Sequence, residues 1–418
     1  MSREIEVFVD LAGVPHFAGR LWSRASKGHE SASFEYDASW LASPLRFALE
    51  PALMLSEGAH HTSQDRSLFG AIGDSAPDRW GRMLMKRQER RSAEKEGRTP
   101  RTLMEVDYLL RVDDQVRQGA LRFREAGTPQ FLSQGQFRIP ALIELPRLLA
   151  ASDHVIAEND SDEDLMLLLA PGSSLGGARP KAAIVDSDGS LAIAKFPHAG
   201  DDYSVEMWSY LTLKLAEKAG MNIPPYRIED IAGRKVLLVS RFDRQGNVRI
   251  PFLSAMSMLG AADNEPHSYL EFADALRQYG ASASSDLKEL WQRILFNVLV
   301  SNVDDHLRNH GFIYDTLKRG WNLSPAYDIN PVPRDVKPHF LSTLIDDHDN
   351  EASFDLVLST AEYYGLAGNM IKEIVEKTVG ILSNWREEAA KIGITKKESE
   401  RMESAFEHKA YQEAKAYK

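Results

Sequence analysis

The chain contains no cysteine. Disulfide cross-links, thiolate metal sites and thiol catalysis are thereby excluded. Positive charge is also in short supply: 50 Lys and Arg face 61 Asp and Glu, a formal net charge of −11. Such a chain does not attract nucleic acid as a whole, so any contact with DNA must be local or come through a partner. Long hydrophobic runs are missing. The longest, Leu165 to Ala170, is far too short to cross a bilayer. The opening stretch MSREIEVFVDL has no apolar core and no cleavage site of the secretory kind, and the expected location is cytoplasmic, with no membrane partner. There is no internal repeat and no low-complexity segment. What is there reads as an ordinary soluble protein. The 418 residues are 43% hydrophobic and 27% charged, enough for two or three domains with separate cores.

The first hundred residues read as a small α/β unit. Ile5 to Leu11 and His16 to Trp22 alternate apolar and polar residues around Gly13, Val14 and Pro15, as a hairpin does. Ser33 to Tyr36 is a third short strand. Gly70 to Arg87 has a helical pattern with Ala76 and Pro77 near its start. Lys86 to Arg101 is charged with no apolar face, which favours a solvated helix end over a phosphate-binding patch. Leu103 to Leu110 resumes a helical pattern, and Glu144 to Asp164 reads as a connector. Two strands, Ala182 to Val185 and Leu191 to Phe196, are joined by the turn signal Ser187-Asp188-Gly189. Ser204 to Ala219 is a helix stopped by Gly220. Lys235 to Ser240 is a further strand. Beyond it the pattern is mainly helical. Asp286 can cap a helix with the apolar stripe Leu287, Leu290, Trp291, Ile294, Leu295 and Val298. That helix delivers Asn302 to Asn309 as the loop at its end, and helices follow from Ala361 onward.

That loop carries the chemistry. Asp304 is followed five residues later by Asn309, and a second aspartate, Asp328, ends the next strand-like segment. A phosphoryl-transfer site needs this order: a base, a metal-binding amide, then a metal-binding carboxylate. His306 is expected to organise the loop by hydrogen bonding. Polar capping at a helix end would explain Asp304 and Asn309 alone, but not Asp328 as well. Upstream, Gly172, Gly176 and Gly177 fit neither a Walker A motif nor the common kinase loop. Glycine backbone, the hydroxyls of Ser173 and Ser174, and the charges of Arg179 and Lys181 nonetheless suit phosphate. Lys195 lies in an apolar strand, where an ammonium needs water or an anion. Glu206 could pair with it, although acids favour helix N-termini in any case. His60 with His61, and Asp346 to Asp349, read as plain loops without a convincing ligand set.

These residues resemble the HipA-like serine/threonine kinases, the toxin components of HipA/HipB toxin–antitoxin pairs. The resemblance rests on GSSLGGARPK from Gly172 to Lys181, AKFP from Ala194, SRFDR from Ser240, NVDDHLRN from Asn302 to Asn309 and PAYD ending at Asp328. It extends to FEYD from Phe34, SAPDRWGR from Ser75 to Arg82 and GALRF from Gly119, and so covers nearly the whole chain. It implies an α+β, two-lobed protein-kinase-like fold of the lipid-kinase-like branch. An N-terminal subdomain would span residues 1–145, the kinase N-lobe 146–245 and the helical C-lobe 246–418.

ATP and Mg2+ are the implied cofactors. Gly176, Gly177, Ala178, Arg179, Pro180 and Lys181 would lie over the phosphates and Lys195 on them. Ser240, Arg241 and Phe242 would line the adenine, with Tyr327 also at the nucleotide. Asp304 would be the catalytic base, and Asn309 and Asp328 would hold the metal. Ser174, with Ser173 adjacent, aligns with a serine whose autophosphorylation inactivates the family's kinases. The implied partners are a HipB-like helix-turn-helix antitoxin, DNA only through it, and a protein substrate such as an aminoacyl-tRNA synthetase. Two departures stand out: Arg308 replaces the more usual lysine, and Val303 replaces a polar or small residue. A small-molecule or lipid kinase, and a non-catalytic co-repressor, are the competing readings.

Overall fold

A computed structural model describes residues 2–26, 29–63, 65–132, 138–169, 177–263 and 265–417. The chain divides into two compact units, one formed by Met1–Gly200 with Glu229–Ala262, the other by Asp201–Ile228 with Asp263–Lys418. Among the described residues no helix is long and apolar enough to cross a membrane.

The first unit opens with strands β1 (Ser2–Leu11), β2 (Val14–Ser26), β3 (His29–Tyr36) and β4 (Ala59–His61), joined by β5 (Leu121–Glu125) in an antiparallel sheet of order β4-β3-β2-β1-β5. Ile5, Val7, Val9 and Leu11 share one buried face of β1, and Phe8 and Asp10 on its other face are buried as well. The β1–β2 turn is Ala12-Gly13, both at positive φ. A two-residue turn of that kind matches strand twist, so Val14 and Pro15 belong to β2 and not to the turn. The predicted helix from Gly70 to Arg87 is broken. A short turn, Gly70–Gly73, is separated by Pro77 from a second helix, Arg79–Lys95, which Asp78 caps. Proline cannot donate to a helix ladder but is tolerated beside a helix start.

The stretch from Glu144 to Asp164 is no connector. It forms helix Leu145–Ile156, with Pro146 in its first turn, and the start of helix Asp162–Leu169. Leu145, Leu148, Leu149, Ser152 and Val155 supply its buried stripe. The arginines of Arg79–Lys95 turn toward this pair: Arg87 and Arg91 both reach the buried Asp160, and Arg91 and Lys95 reach Asp162.

The second sheet has the order β6 (Lys181–Val185), β7 (Leu191–Lys195), β9 (Arg234–Ser240), β8 (Tyr226–Ile231). β6 and β7 form the expected hairpin, with Lys181 opposite Lys195. Ala182, Ala183, Ile184, Ala192 and Ala194 join Leu148, Leu168 and Leu238 in the unit's core.

The second unit is mainly helical. Helix Val205–Ala219 ends at Gly220, whose φ of +95° is the left-handed stop expected of glycine. Helix Ala283–Leu299 buries its whole apolar stripe, each large side chain contributing about 1.5–3 kcal/mol. Asp286 does not cap it. That helix begins three residues earlier, and Asp286 Oδ2 instead accepts the Leu323 N–H at 2.9 Å. Strands Gly311–Asp315 and Gly320–Leu323 then form a hairpin, followed by helices that include Asn369–Leu382 and Lys409–Ala416.

Candidate active site

The loop after helix Ala283–Leu299 begins with a forced bend. Ser301 sits at φ +54°, a left-handed conformation that costs a serine about 1–2 kcal/mol and must be held by its surroundings. Arg334 donates to His339 Nδ1 at 3.0 Å, so Nε2 carries the proton toward Ser301 Oγ at 2.8 Å. The serine hydroxyl donates onward to the Ala405 carbonyl at 2.8 Å. Beyond it, Asn302 ties back to the helix, its N–H to Asn297 O at 2.9 Å and its amide to Asn297 Oδ1 at 3.1 Å.

The paired aspartates that follow face opposite ways. Asp305 is buried. It accepts from Asn297 Nδ2 at 2.5 Å, from the Tyr269 hydroxyl, and from His310 Nε2 at 2.8 Å. Burial alone would push its carboxyl up, but His310, the Tyr269 hydroxyl and nearby His306 outweigh that and hold it below the ordinary carboxylate range. Asp304 points out, its side chain 56% exposed, with Lys337 Nζ at 3.0 Å. Its carbonyl accepts the His306 N–H at 3.0 Å and Asn309 Nδ2 at 2.9 Å. His306 thus bonds into the loop through its backbone. Asn309, having given its amide N–H to the loop, keeps a buried Oδ1 that has no hydrogen-bond partner among the described residues. A buried acceptor left open is costly and can accept a cation or a donor.

Asp328 is drawn to the same loop. Asn330 N–H reaches Asn302 Oδ1 at 3.1 Å, and Asn330 Nδ2 reaches Asp328 Oδ1 at 3.0 Å. Tyr327 donates its hydroxyl to the Arg308 carbonyl at 2.9 Å, and Val332 N–H bonds Ser301 O at 3.1 Å. Asp328 itself takes φ +60°, a strained setting of the kind that clusters at functional sites. Arg308 is held by Asp263. Three residues of this arrangement gave no warning in the sequence: Asp305, Asn297 and Lys337. An adjacent Asp pair does not say which member is buried, and Lys337 lies in a segment without periodicity.

The first unit holds the upstream residues. Ser173, Ser174 and Gly176 lie outside the described residues. Gly177 adopts φ +90°, Ala178 is exposed, and Pro180 is buried with its carbonyl accepting the Phe196 N–H at 3.0 Å. Arg179 and Lys195 are half-buried. Lys181 is buried, its ammonium 2.9 Å from Asp78 Oδ2. Ser240 pairs with Ala192 at the end of β9. The Arg241 N–H goes to Leu191 O at 2.9 Å, and its buried guanidinium to Asp243 and to the Val116 carbonyl. Asp243 also accepts the Gly119 N–H at 2.7 Å. Burial would raise its carboxyl, yet Arg241 and Arg244 hold it far below its ordinary value. Phe242 lies against Phe252, ring centres 6.0 Å apart. The SRFDR segment is therefore bound to the GALRF turn within this unit. At the acidic segment, Asp346 Oδ1 accepts the His348 and Asp349 N–H groups at 2.8 and 2.7 Å, an Asx turn.

Residues 173–402 match the model for the HipA-like C-terminal domain. The candidate kinase Y4mE of Sinorhizobium fredii is 27% identical over 183 residues, which cover 37% of this chain and 41% of that protein. A candidate kinase of Haemophilus influenzae is 23% identical over 190 residues, covering 39% and 54%. The chain thus spans about half or less of these relatives' length. A chain of the toxin–antitoxin complex of HipA, HipB and operator DNA from Shewanella oneidensis MR-1 superposes with a TM-score of 0.63. It is 16% identical and covers 96% of this chain and 94% of its own length. At that identity the likeness establishes the shared fold, an α+β kinase-like one.

Proposed function

The chain belongs to the family of proteins with a HipA-like C-terminal domain, and from that premise we propose that it is an ATP- and magnesium-dependent serine/threonine protein kinase. The observation that carries the reading is the division of labour in the loop. Asp305 anchors it from below, Asp304 faces solvent, and Asn309 holds an open buried acceptor beside it. Asn309 Oδ1 and the Asp328 carboxylate are hard oxygen ligands, and magnesium is usually held by one or two carboxylates plus phosphate oxygens. The donor set therefore fits that ion. Bound Mg-ATP would supply the transferable phosphoryl group. Asp304 would orient the substrate hydroxyl and take its proton, which requires Lys337 to leave its carboxylate. Lys195 would meet the phosphates from β7.

As in the HipA/HipB system, the partner would be a small helix-turn-helix antitoxin that carries the DNA contact, which suits a chain of net charge −11. The substrate would be a translation protein such as an aminoacyl-tRNA synthetase. Radiolabelled ATP incubated with the purified protein and a cell extract tests the reading. Label on protein is expected. Label on a lipid or metabolite would mean a different acceptor, and no label would leave a binding protein.

Self-modification follows from the same reading. A phosphate on Ser174 adds about −1.5 to −2 charges beside a nucleotide that is itself anionic. Mass spectrometry after incubation with Mg-ATP should find it there, or on Ser173. An active kinase with both serines unmodified would leave control to the antitoxin alone.

A further inference from the structure

Lys181 and Lys195 stand directly opposite each other in the β6–β7 ladder, so both side chains leave the same face of the sheet, where like charges repel. Asp78 resolves the conflict for one of them. Its Oδ2 lies 2.9 Å from Lys181 Nζ, with the two side chains only 3% and 4% exposed. Its other oxygen, Oδ1, accepts the Gly81 N–H at 2.8 Å and caps helix Arg79–Lys95. One carboxylate therefore joins a helix start to the first residue of β6. Gly177, at φ +90°, passes so close that a Cβ there would lie 3.2 Å from Lys181 Nζ. The ammonium is wedged between Asp78 and the backbone at Gly177. The kinase reading accounts for neither Asp78 nor the SAPDRWGR segment that contains it.

We propose that Asp78 is a positioning residue for nucleotide binding. By holding Lys181 as a buried strut beneath residues 177–181, it fixes the backbone there and leaves Lys195 as the lysine of the pair that meets phosphate. The proposal rests on the kinase reading given above.

Asp78→Asn is the discriminating change. Asparagine caps a helix as well as aspartate does, so Oδ1 can still serve Gly81 while the charge facing Lys181 is lost. The KM and Kd for Mg-ATP should rise about ten- to a hundredfold, as for a misplaced binding element. The kcat at saturating ATP should change by less than about twofold, since no group acting in the transition state is removed. Lys181→Met should weaken binding similarly, and adding Asp78→Asn to it should cost nothing further. Equal losses from Asp78→Asn in both backgrounds would mean that it acts without Lys181, and would overturn the proposal. If Asp78→Asn fails to fold, Lys181→Met and the double variant decide. Equal, weakened ATP binding in both supports the strut, and wild-type affinity in either refutes it. Wild-type protein that binds no Mg-ATP defeats the kinase reading and this proposal together. Wild-type binding with an unchanged Kd for Asp78→Asn defeats this proposal alone.

Discussion

Asp304 and Asp305 are chemically identical neighbours with separable roles. Asp304 is more than half exposed and carries one exposed ion pair with Lys337, so changing it should barely affect folding. Asp304→Asn should lower turnover by about 10²–10⁴-fold and leave the unfolding free energy from a urea titration within about 0.5 kcal/mol of wild type. Asp305→Ala removes the acceptor for His310, Tyr269 and Asn297 from a buried site, and should cost about 3–5 kcal/mol in the same titration. Near-normal turnover by Asp304→Asn would end its assignment as the base. The proposed roles of Asp304, Asn309 and Asp328 are legible in the sequence because their spacing is local and countable. The sequence hid Asp305, whose three partners lie on a helix, on a second helix and beyond the loop. It also assigned Arg241 to the nucleotide, whereas its side chain is spent on Asp243 and Val116. A motif records that an arginine is required, not which way it points.

Among the elements, the segment from Val332 to Thr343 braces the Asn302–Asn309 loop from outside. Val332 N–H bonds Ser301 O, and Ser342 N–H bonds Val303 O, both at 3.1 Å. Thr343 Oγ1 reaches Asp305 O at 2.7 Å. Within this brace His339 meets His408, ring centres 4.7 Å apart. Burial, together with Arg334, pulls His339 down to about 4. Burial, with His339 and Arg334, pulls His408 down to about 3. Both are therefore neutral in the folded protein while the unfolded chain protonates near its ordinary value of about 6.5. Their contribution is complete above that pH and is lost as pH falls from about 6.5 to about 4 for His339 and to about 3 for His408. The melting temperature should drop across that window, and the drop should shrink in a His339→Gln, His408→Gln variant; an equal drop would assign the effect elsewhere. None of this was visible in the sequence, since the segment has neither helical nor strand period. The helix Ala283–Leu299 was legible for the opposite reason, a long stripe of apolar residues. Leu145–Ile156 was missed because its proline and acidic neighbours resemble a linker, although Pro146 sits where a helix begins.

For the molecule as a whole, the proposed parts are divided between the two units, Lys195 and Asp78 in one, Asp304, Asn309 and Asp328 in the other. If the protein is a toxin by phosphoryl transfer, expression without a partner should arrest growth, and expression of Asp304→Asn should not. Equal arrest by both, read as colony counts after induction, would separate toxicity from the kinase chemistry.

The hydrogen bond from Ser301 to Ala405 spans 104 residues of chain, and His408 meets the Leu299 carbonyl across 109. A ribosome adding about 5–20 residues per second therefore exposes the candidate-site loop roughly 5–20 s before it can make the contacts that hold its bend. On the proposed kinase reading a nascent chain would be inactive during that interval, and a chain cut after Glu400 should remain so permanently, with no detectable phosphoryl transfer. Growth arrest or labelled product from such a truncated chain would show that the late contacts are dispensable. Translation itself would otherwise act as a timer, giving a binding partner made alongside it a head start on every new copy.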